Sequence, residues 1–196
     1  MPGQWLPASA GWRTAWQART AEVIARTRAH APERTLELWR TQSSALLASP
    51  AARDQAAARP MTLMGLSLPL SDHFLIRGFE TWIHTVDIAS ALDMRVPPPV
   101  ERHLTPLVHL AVRILRLAVG GRMPSVLLRV GTGAGDQWVL GRPAANPPTA
   151  ELSLDPVDFF LLIGGRYTPQ DVPRRTTGET APAWAVLQWA AELAWP

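Results

Sequence analysis

Apolar positions recur at helical spacing through the first half of this chain and give way to short alternating runs in the second. Residues 11–29 place Trp12, Trp16, Val23 and Ile24 among Arg and Glu, which predicts an amphipathic helix. Pro32 and Glu33 then suit a helix start, and Leu36, Trp39, Leu46 and Leu47 continue it over 33–48. Ala51 to Ala58, bracketed by Pro50 and Pro60, reads as a short helix or a linker. Residues 61–72 are apolar but broken by Gly65, Pro69 and Asp72, which predicts a connector. Asp72 would cap a helix running from His73 to Leu92.

The run RVPPPVE, Arg95–Glu101, ends helical character, because proline fixes the backbone and removes a donor. A domain boundary is placed there, giving domains 1–96 and 97–196. Beyond it, Leu107, Val108, Leu110, Ile114 and Leu117 mark a helix over 101–118 that Gly120 and Gly121 terminate. Ser125–Val130 and Gln137–Leu140 flank GTGAGD as a hairpin, 143–148 is a loop, and Ala150–Leu154 is a further strand. Asp155 followed by Pro156 is an N-cap and first-turn pair opening a helix that reaches Gly164. A loop rich in Pro, Arg and Thr leads to a last helix over 181–194. The predicted class is α+β, a helical domain followed by a small α+β domain.

Composition narrows the chemistry. The 196 residues are 47% hydrophobic and 18% charged, enough to bury a core without covalent staples. Cysteine is absent, which excludes disulfides, iron–sulfur ligation, Cys–zinc sites and a protein thiol nucleophile. Any thiol chemistry must use a thiol from outside. All 19 basic residues are arginine and the net charge is +3. Residues 1–60 carry eight Arg against four acids and the rest eleven against twelve, so no basic stripe for nucleic acid forms. The first twenty residues lack the apolar run of a targeting segment, and no stretch approaches the ~18 apolar residues of a membrane span. The expectation is a cytoplasmic protein with a small-molecule substrate and neither nucleic acid nor membrane as partner.

The polar residues of the 73–92 helix fall at 73, 77, 80, 84 and 87, intervals of four, three, four and three. That spacing puts His73, Arg77, Glu80, His84 and Asp87 on one stripe of an otherwise apolar helix. Such a stripe lines a polar channel in a bundle or faces solvent beside a packed core. Glu80 and His84 are four apart, about 6 Å of axial rise, so a carboxylate oxygen and an imidazole nitrogen can reach one divalent cation. Mixed oxygen and nitrogen ligation suits zinc. The same spacing also suits an ordinary ion pair, with Arg77 on Glu80. His73, roughly 16 Å from His84 along the helix, cannot join them. Asp87 can accept the second imidazole N–H and set the tautomer, or make a local salt bridge. His30 can approach from a neighbouring helix, while His103 and His109 read as a surface and a packed histidine.

RGFETWIHTVDIASAL, residues 77–92, resembles the R-x-x-E-x-W-x-H-x-x-D-h-x-x-A-L stretch of the mycothiol-dependent maleylpyruvate isomerase family of actinobacteria. LLRVGTGAGDQWVL (127–140), LDPVDFFLLIGGR (154–166) and TGET (177–180) follow that family's C-terminal half in order, so the resemblance covers roughly 30–195. It implies a DinB-like four-helix bundle holding a divalent metal, usually zinc, followed by an α+β domain like sterol carrier proteins. Glu80 and His84 match two of three metal ligands. Arg166, in the G-G-R motif, matches a catalytic arginine that holds anionic substrate or thiol cofactor, and Arg77 is a second candidate for cofactor contact. The third ligand, a histidine in a stretch like G-W-T-x-x-D-x-x-x-H-L, has no counterpart here. The resemblance therefore implies a bundle without its first helices, as though the chain began about sixty residues late.

Two functions follow from it as expectations. One is a mycothiol-dependent, metal-binding isomerase or thiol transferase acting on small electrophilic or unsaturated acids. The other is a catalytically degenerate member acting as a homodimeric binding protein, with Trp5, Trp12, Trp16 and Trp39 as core residues or interface anchors.

Overall fold

A computed structural model describes residues 10–53, 59–63, 66–121, 123–131, 136–142 and 147–193. Its packing divides the chain into two compact units, Gly3–Phe74 and Leu75–Pro196.

The first unit contains α1 (Ala10–Thr27), α2 (Pro32–Ala48), the short α3 (Pro50–Arg53) and a hairpin of β1 (Pro60–Leu63) and β2 (Leu66–Pro69). Pro32 opens α2 and Glu33 sits in its first turn, as the sequence predicts. The segment read as a connector is instead the hairpin, with Pro60 opposite Pro69 and Leu63 opposite Leu66. Two prolines at the ends of a four-residue pair cost little, because neither has to donate inside the ladder. None of the residues of α2 is buried, and Leu36, Trp39, Leu46 and Leu47 are all exposed. Trp5 lies outside the described residues, as do the side chains of Trp12 and Trp16.

Helix α4 (Leu70–Ala91) begins two residues before Asp72, so Asp72 lies within the first turn rather than capping it. The proline-rich run does separate α4 from α5, and the Trp82 indole N–H donates to the carbonyl of Pro97 within it. The packing nevertheless divides the chain inside α4, between Phe74 and Leu75. The reason is aromatic burial: Leu75, Phe79 and Trp82 pack on the core of the second unit.

That second unit is a two-layer α+β fold. Helix α5 (Glu101–Val119) buries Leu107, Val108, Ala111, Val112, Leu115, Ala118 and Val119, one stripe at intervals of three and four. Strands β3 (Val126–Val130), β4 (Gln137–Leu140), β5 (Ala150–Leu154) and β6 (Arg175–Gly178) form a sheet in the order β4-β3-β5-β6. The β3–β4 hairpin is antiparallel, as expected, although most of its GTGAGD turn lies outside the described residues. Strand β5 pairs with β3 in parallel, Leu128 opposite Leu152, and β6 closes the other edge antiparallel to β5. Strand β6 corrects the reading of that stretch as a loop. All four of its residues are exposed, so no burial alternation marks it.

One sheet face is dry. Val126, Leu128, Val130, Leu140, Leu152 and Leu154 are buried under α5, α6 (Pro156–Ile163) and α7 (Thr180–Ala191). Asp155 caps α6 as the sequence predicts, its Oδ1 accepting from the Val157 N–H at 2.7 Å. The cap orients α6 so that Phe159, Phe160, Leu162 and Ile163 all point inward.

Candidate functional site

Four side chains of the second unit converge: Glu80, His84 and Asp87 from α4, and Arg166 from the turn after α6. Helical geometry alone brings the first three together, since positions i, i+4 and i+7 share a face. Opposite that face, Ile83 is 1% exposed, and Phe79 and Trp82 pack against Phe160 in tilted and edge-on arrangements. The stripe therefore runs along solvent beside a packed core, with the His84 side chain 65% exposed and Glu80 29%.

The G-G-R motif supplies the fourth member. Gly164 lets α4 come close: a Cβ there would lie 2.9 Å from both Cγ1 and Cδ1 of Ile83. Gly165 takes φ +73°, turning the chain back on α6, so that the N–H groups of Arg166 and Tyr167 both donate to the Leu161 carbonyl. Arg166 then points toward α4. Its Nε donates to Asp87 Oδ1 at 2.8 Å, its Nη2 to Asp87 Oδ2 and its Nη1 to the Gly164 carbonyl. The Arg166–Asp87 contact is thus a two-pronged pair between residues 79 apart in sequence.

Asp87 also serves His84. His84 Nδ1 lies within hydrogen-bond distance of Asp87 Oδ2, at 3.1 Å, while His84 Nε2 lies 3.5 Å from Glu80 Oε2. That last distance lies within ion-pair range. Asp87 titrates below the usual aspartate range, chiefly because Arg166 hydrogen-bonds its ionised form. Arg166 is pushed upward by the same bond. Glu80 moves the other way. Burial raises it, against the opposing pull of His84, Arg166 and Arg77.

The two carboxylates therefore give opposite pH dependences. The fold favours protonated Glu80, so its contribution is fullest below the ordinary glutamate range and is lost as pH rises through its raised value. Asp87 contributes above the ordinary aspartate range and loses that contribution as pH falls. In chelator-treated protein, Glu80→Gln is expected to unfold at higher urea than the parent at pH 7. The gap should close on acidification to about pH 4, where the parent's own carboxyl is protonated. Asp87→Asn should be the less stable protein at pH 7. Equal midpoints for Glu80→Gln and parent at pH 7 would contradict the burial effect.

The remaining candidates lie elsewhere. Arg77 is exposed and touches the site through its charge on Glu80. His73 Nε2 donates to the Met61 carbonyl at 2.8 Å, within the first unit. His30 is in the turn between α1 and α2, also in that unit. His103 accepts from Arg102 Nε at 3.4 Å, and His109 meets the Trp138 ring edge-on at 5.4 Å. Among the described residues, no group of three or more His, Cys, Asp or Glu is arranged to hold a metal. Nor, among them, is any helix long and apolar enough to cross a membrane. The bond from Arg166 to the Gly164 carbonyl is the contact that an arginine at a helix C-terminus suits, whereas its pair with Asp87 was not legible beforehand.

A solved structure, the sterol carrier protein domain 2 of Helicoverpa armigera, aligns with 50% of this chain and 95% of its own at 15% identity and a TM-score of 0.30. No curated protein matches the chain. The family model described as mycothiol maleylpyruvate isomerase N-terminal domain matches residues 4–89. That match includes Glu80, His84 and Asp87, and begins well ahead of residue 30, where the motif resemblance started. Residues 4–89 are thus similar to the family of mycothiol maleylpyruvate isomerase N-terminal domains.

Proposed function

We propose that the chain is a mycothiol-dependent isomerase or thiol transferase acting on small electrophilic or unsaturated acids, with a divalent metal, zinc, held at Glu80 and His84. The observation that carries this reading is the facing pair of donor atoms, Glu80 Oε2 and His84 Nε2, 3.5 Å apart. Neighbouring donors around a tetrahedral zinc with bonds of about 2.1 Å are separated by about 3.4 Å, so the pair fits one edge of such a site. His84 carries the outer carboxylate that metal-bound imidazoles use, Asp87 on Nδ1. With two protein donors on this edge, the remaining positions fall to groups from outside the described residues. A bound metal would lower the pKa of a thiol or water placed on it.

The chain's own residues have distinct tasks in this reading. Glu80 and His84 present oxygen and nitrogen to the cation. Asp87 holds the imidazole in place. Arg166 adds positive charge beside the edge, which favours an acidic substrate. The absence of cysteine leaves the thiol to be brought by the cofactor.

The test is zinc retention and turnover measured together. Purified protein loaded with zinc and dialysed should retain about one ion per chain by mass spectrometry, and the Glu80→Ala/His84→Ala double variant should lose it. Maleylpyruvate should be converted only when mycothiol is added. Equal zinc in both proteins, with no thiol-dependent conversion, would sink the proposal.

A second reading, a homodimeric binding protein, is favoured by one observation: α2 buries none of its residues and exposes Leu36, Trp39, Leu46 and Leu47. A stripe of that kind on a second copy would cover it. Light scattering distinguishes the two masses, and a monomer at high concentration excludes this reading.

A further inference from the structure

We infer that Arg166 is a positioning residue, acting through Asp87 to hold His84 in the tautomer with hydrogen on Nδ1 and a free lone pair on Nε2. This goes beyond anion binding by Arg166 and stands whether or not a metal occupies the edge.

The argument starts from what Arg166 has left to offer. The planar fork that grips a carboxylate consists of Nε and one Nη. In Arg166 that fork is closed on Asp87, Nε to Oδ1 and Nη2 to Oδ2, and Nη1 is tied to the Gly164 carbonyl. An incoming acid therefore meets the outer edge of a guanidinium already committed within the fold. Its principal geometric effect is on Asp87.

An ionised carboxylate only accepts hydrogen bonds. Two guanidinium N–H groups hold both oxygens of Asp87 and fix where its carboxylate sits. The imidazole nitrogen facing Oδ2 must then be the one that carries hydrogen, and that nitrogen is Nδ1. Which ring nitrogen is protonated is set by the hydrogen bond the other makes. Nε2 is left as the nitrogen facing Glu80 Oε2 and solvent. A free imidazole in water favours the opposite tautomer, with hydrogen on Nε2, so the site works against the intrinsic preference. The chain of influence crosses 79 residues of sequence, which makes a remote arginine the guardian of a reactive nitrogen on α4.

Nitrogen NMR of the imidazole ring tests this directly. Chelator-treated, uniformly 15N-labelled protein at pH 8.5, where imidazoles are neutral, should give His84 a pyrrole-like Nδ1 and a pyridine-like Nε2. In Arg166→Gln the pattern should invert, the Nε2–H form becoming the major species. Arg166→Lys keeps a charge but loses the fork, and should give an intermediate average. The Asp87→Asn variant should change His84 in the same sense, and His109 should be unchanged throughout as an internal reference. A merely structural role for Arg166 would lower the melting temperature without moving the ring shifts. A parent His84 with hydrogen on Nε2 overturns the inference, as does an unchanged pattern in folded Arg166→Gln. If Arg166→Gln does not fold, the same two outcomes are read from Asp87→Asn. Zinc retention and turnover do not enter this measurement, so it fails or succeeds apart from the proposed activity.

Discussion

Phe160→Ala is expected to cost the second unit about 3–5 kcal/mol of stability, the range found when a buried phenylalanine is truncated. Phe160 is 1% exposed and sits at the centre of an aromatic cluster. Its ring centroid lies 5.8 Å from Phe79, 6.3 Å from Trp82 and 6.2 Å from Phe159, in tilted and edge-on arrangements that add to simple burial. Phe79 precedes Glu80, and Trp82 lies between Glu80 and His84 along α4. Removing the Phe160 ring takes away the surface against which that helix is braced. The lost atoms leave a cavity that α4 and α6 can close only by shifting. Urea unfolding followed by circular dichroism gives the free energy directly, and thermal melting should fall by on the order of 10 °C. Phe160→Leu should recover most of the loss, because it restores apolar volume without restoring ring contacts. A loss under about 1 kcal/mol for the alanine variant would mean the cluster does not brace α4.

What was legible beforehand follows the range of each interaction. The Asp155–Pro156 start of α6 could be read because capping chemistry is local: the side chain reaches N–H groups two and three residues on. The Glu80–His84–Asp87 stripe could be read for the same reason, since helix periodicity fixes those neighbours. The Asp87–Arg166 pair could not, because nothing in spacing connects residues 79 apart. Only the resemblance around G-G-R singled Arg166 out, and it did so for a different task. Strand β6 escaped because Arg175, Thr176, Thr177 and Gly178 are all exposed and show no alternation. The β1–β2 hairpin escaped because Pro60 and Pro69 read as breaks, and its pairing places them opposite each other at the open end. The parallel pairing of β3 with β5 joins segments that β4 and its loops separate in sequence, which no local pattern encodes. The division of the chain inside α4 was hidden for a related reason. Three prolines mark where a helix ends, whereas the core that Phe79 and Trp82 join includes Phe160, which follows them by 81 and 78 positions.

Gly164→Ala, a change of one methyl group, is expected to destabilise the protein by about 1–3 kcal/mol and to disturb the site at the same time. The backbone at Gly164 has φ −86°, which alanine adopts without strain. The cost comes instead from contact: the new Cβ would stand 2.9 Å from Cγ1 and Cδ1 of Ile83. Ile83 is 1% exposed and has no open side to move into, so the overlap must be relieved by separating α4 from the end of α6. That separation is the one that matters for the site. Arg166 hangs two residues beyond Gly164 and donates to its carbonyl, while Asp87 lies one turn beyond Ile83 on α4. Pushing the two elements apart lengthens the Arg166–Asp87 pair and loosens the carboxylate that faces His84. The repair is equally specific. Ile83→Val removes Cδ1, one of the two overlapping atoms, and in the Gly164→Ala background it should restore part of the lost stability even though on its own it costs about 0.5–1.5 kcal/mol. A double-mutant cycle measured by urea unfolding therefore predicts a favourable coupling of at least about 0.5 kcal/mol between positions 83 and 164. Additive effects would show that the two positions do not touch. The ring shifts of His84 should follow the same cycle, altered in Gly164→Ala and partly recovered in the double variant. Stability and imidazole state would then be reporting on one distance, that between the G-G-R turn and α4.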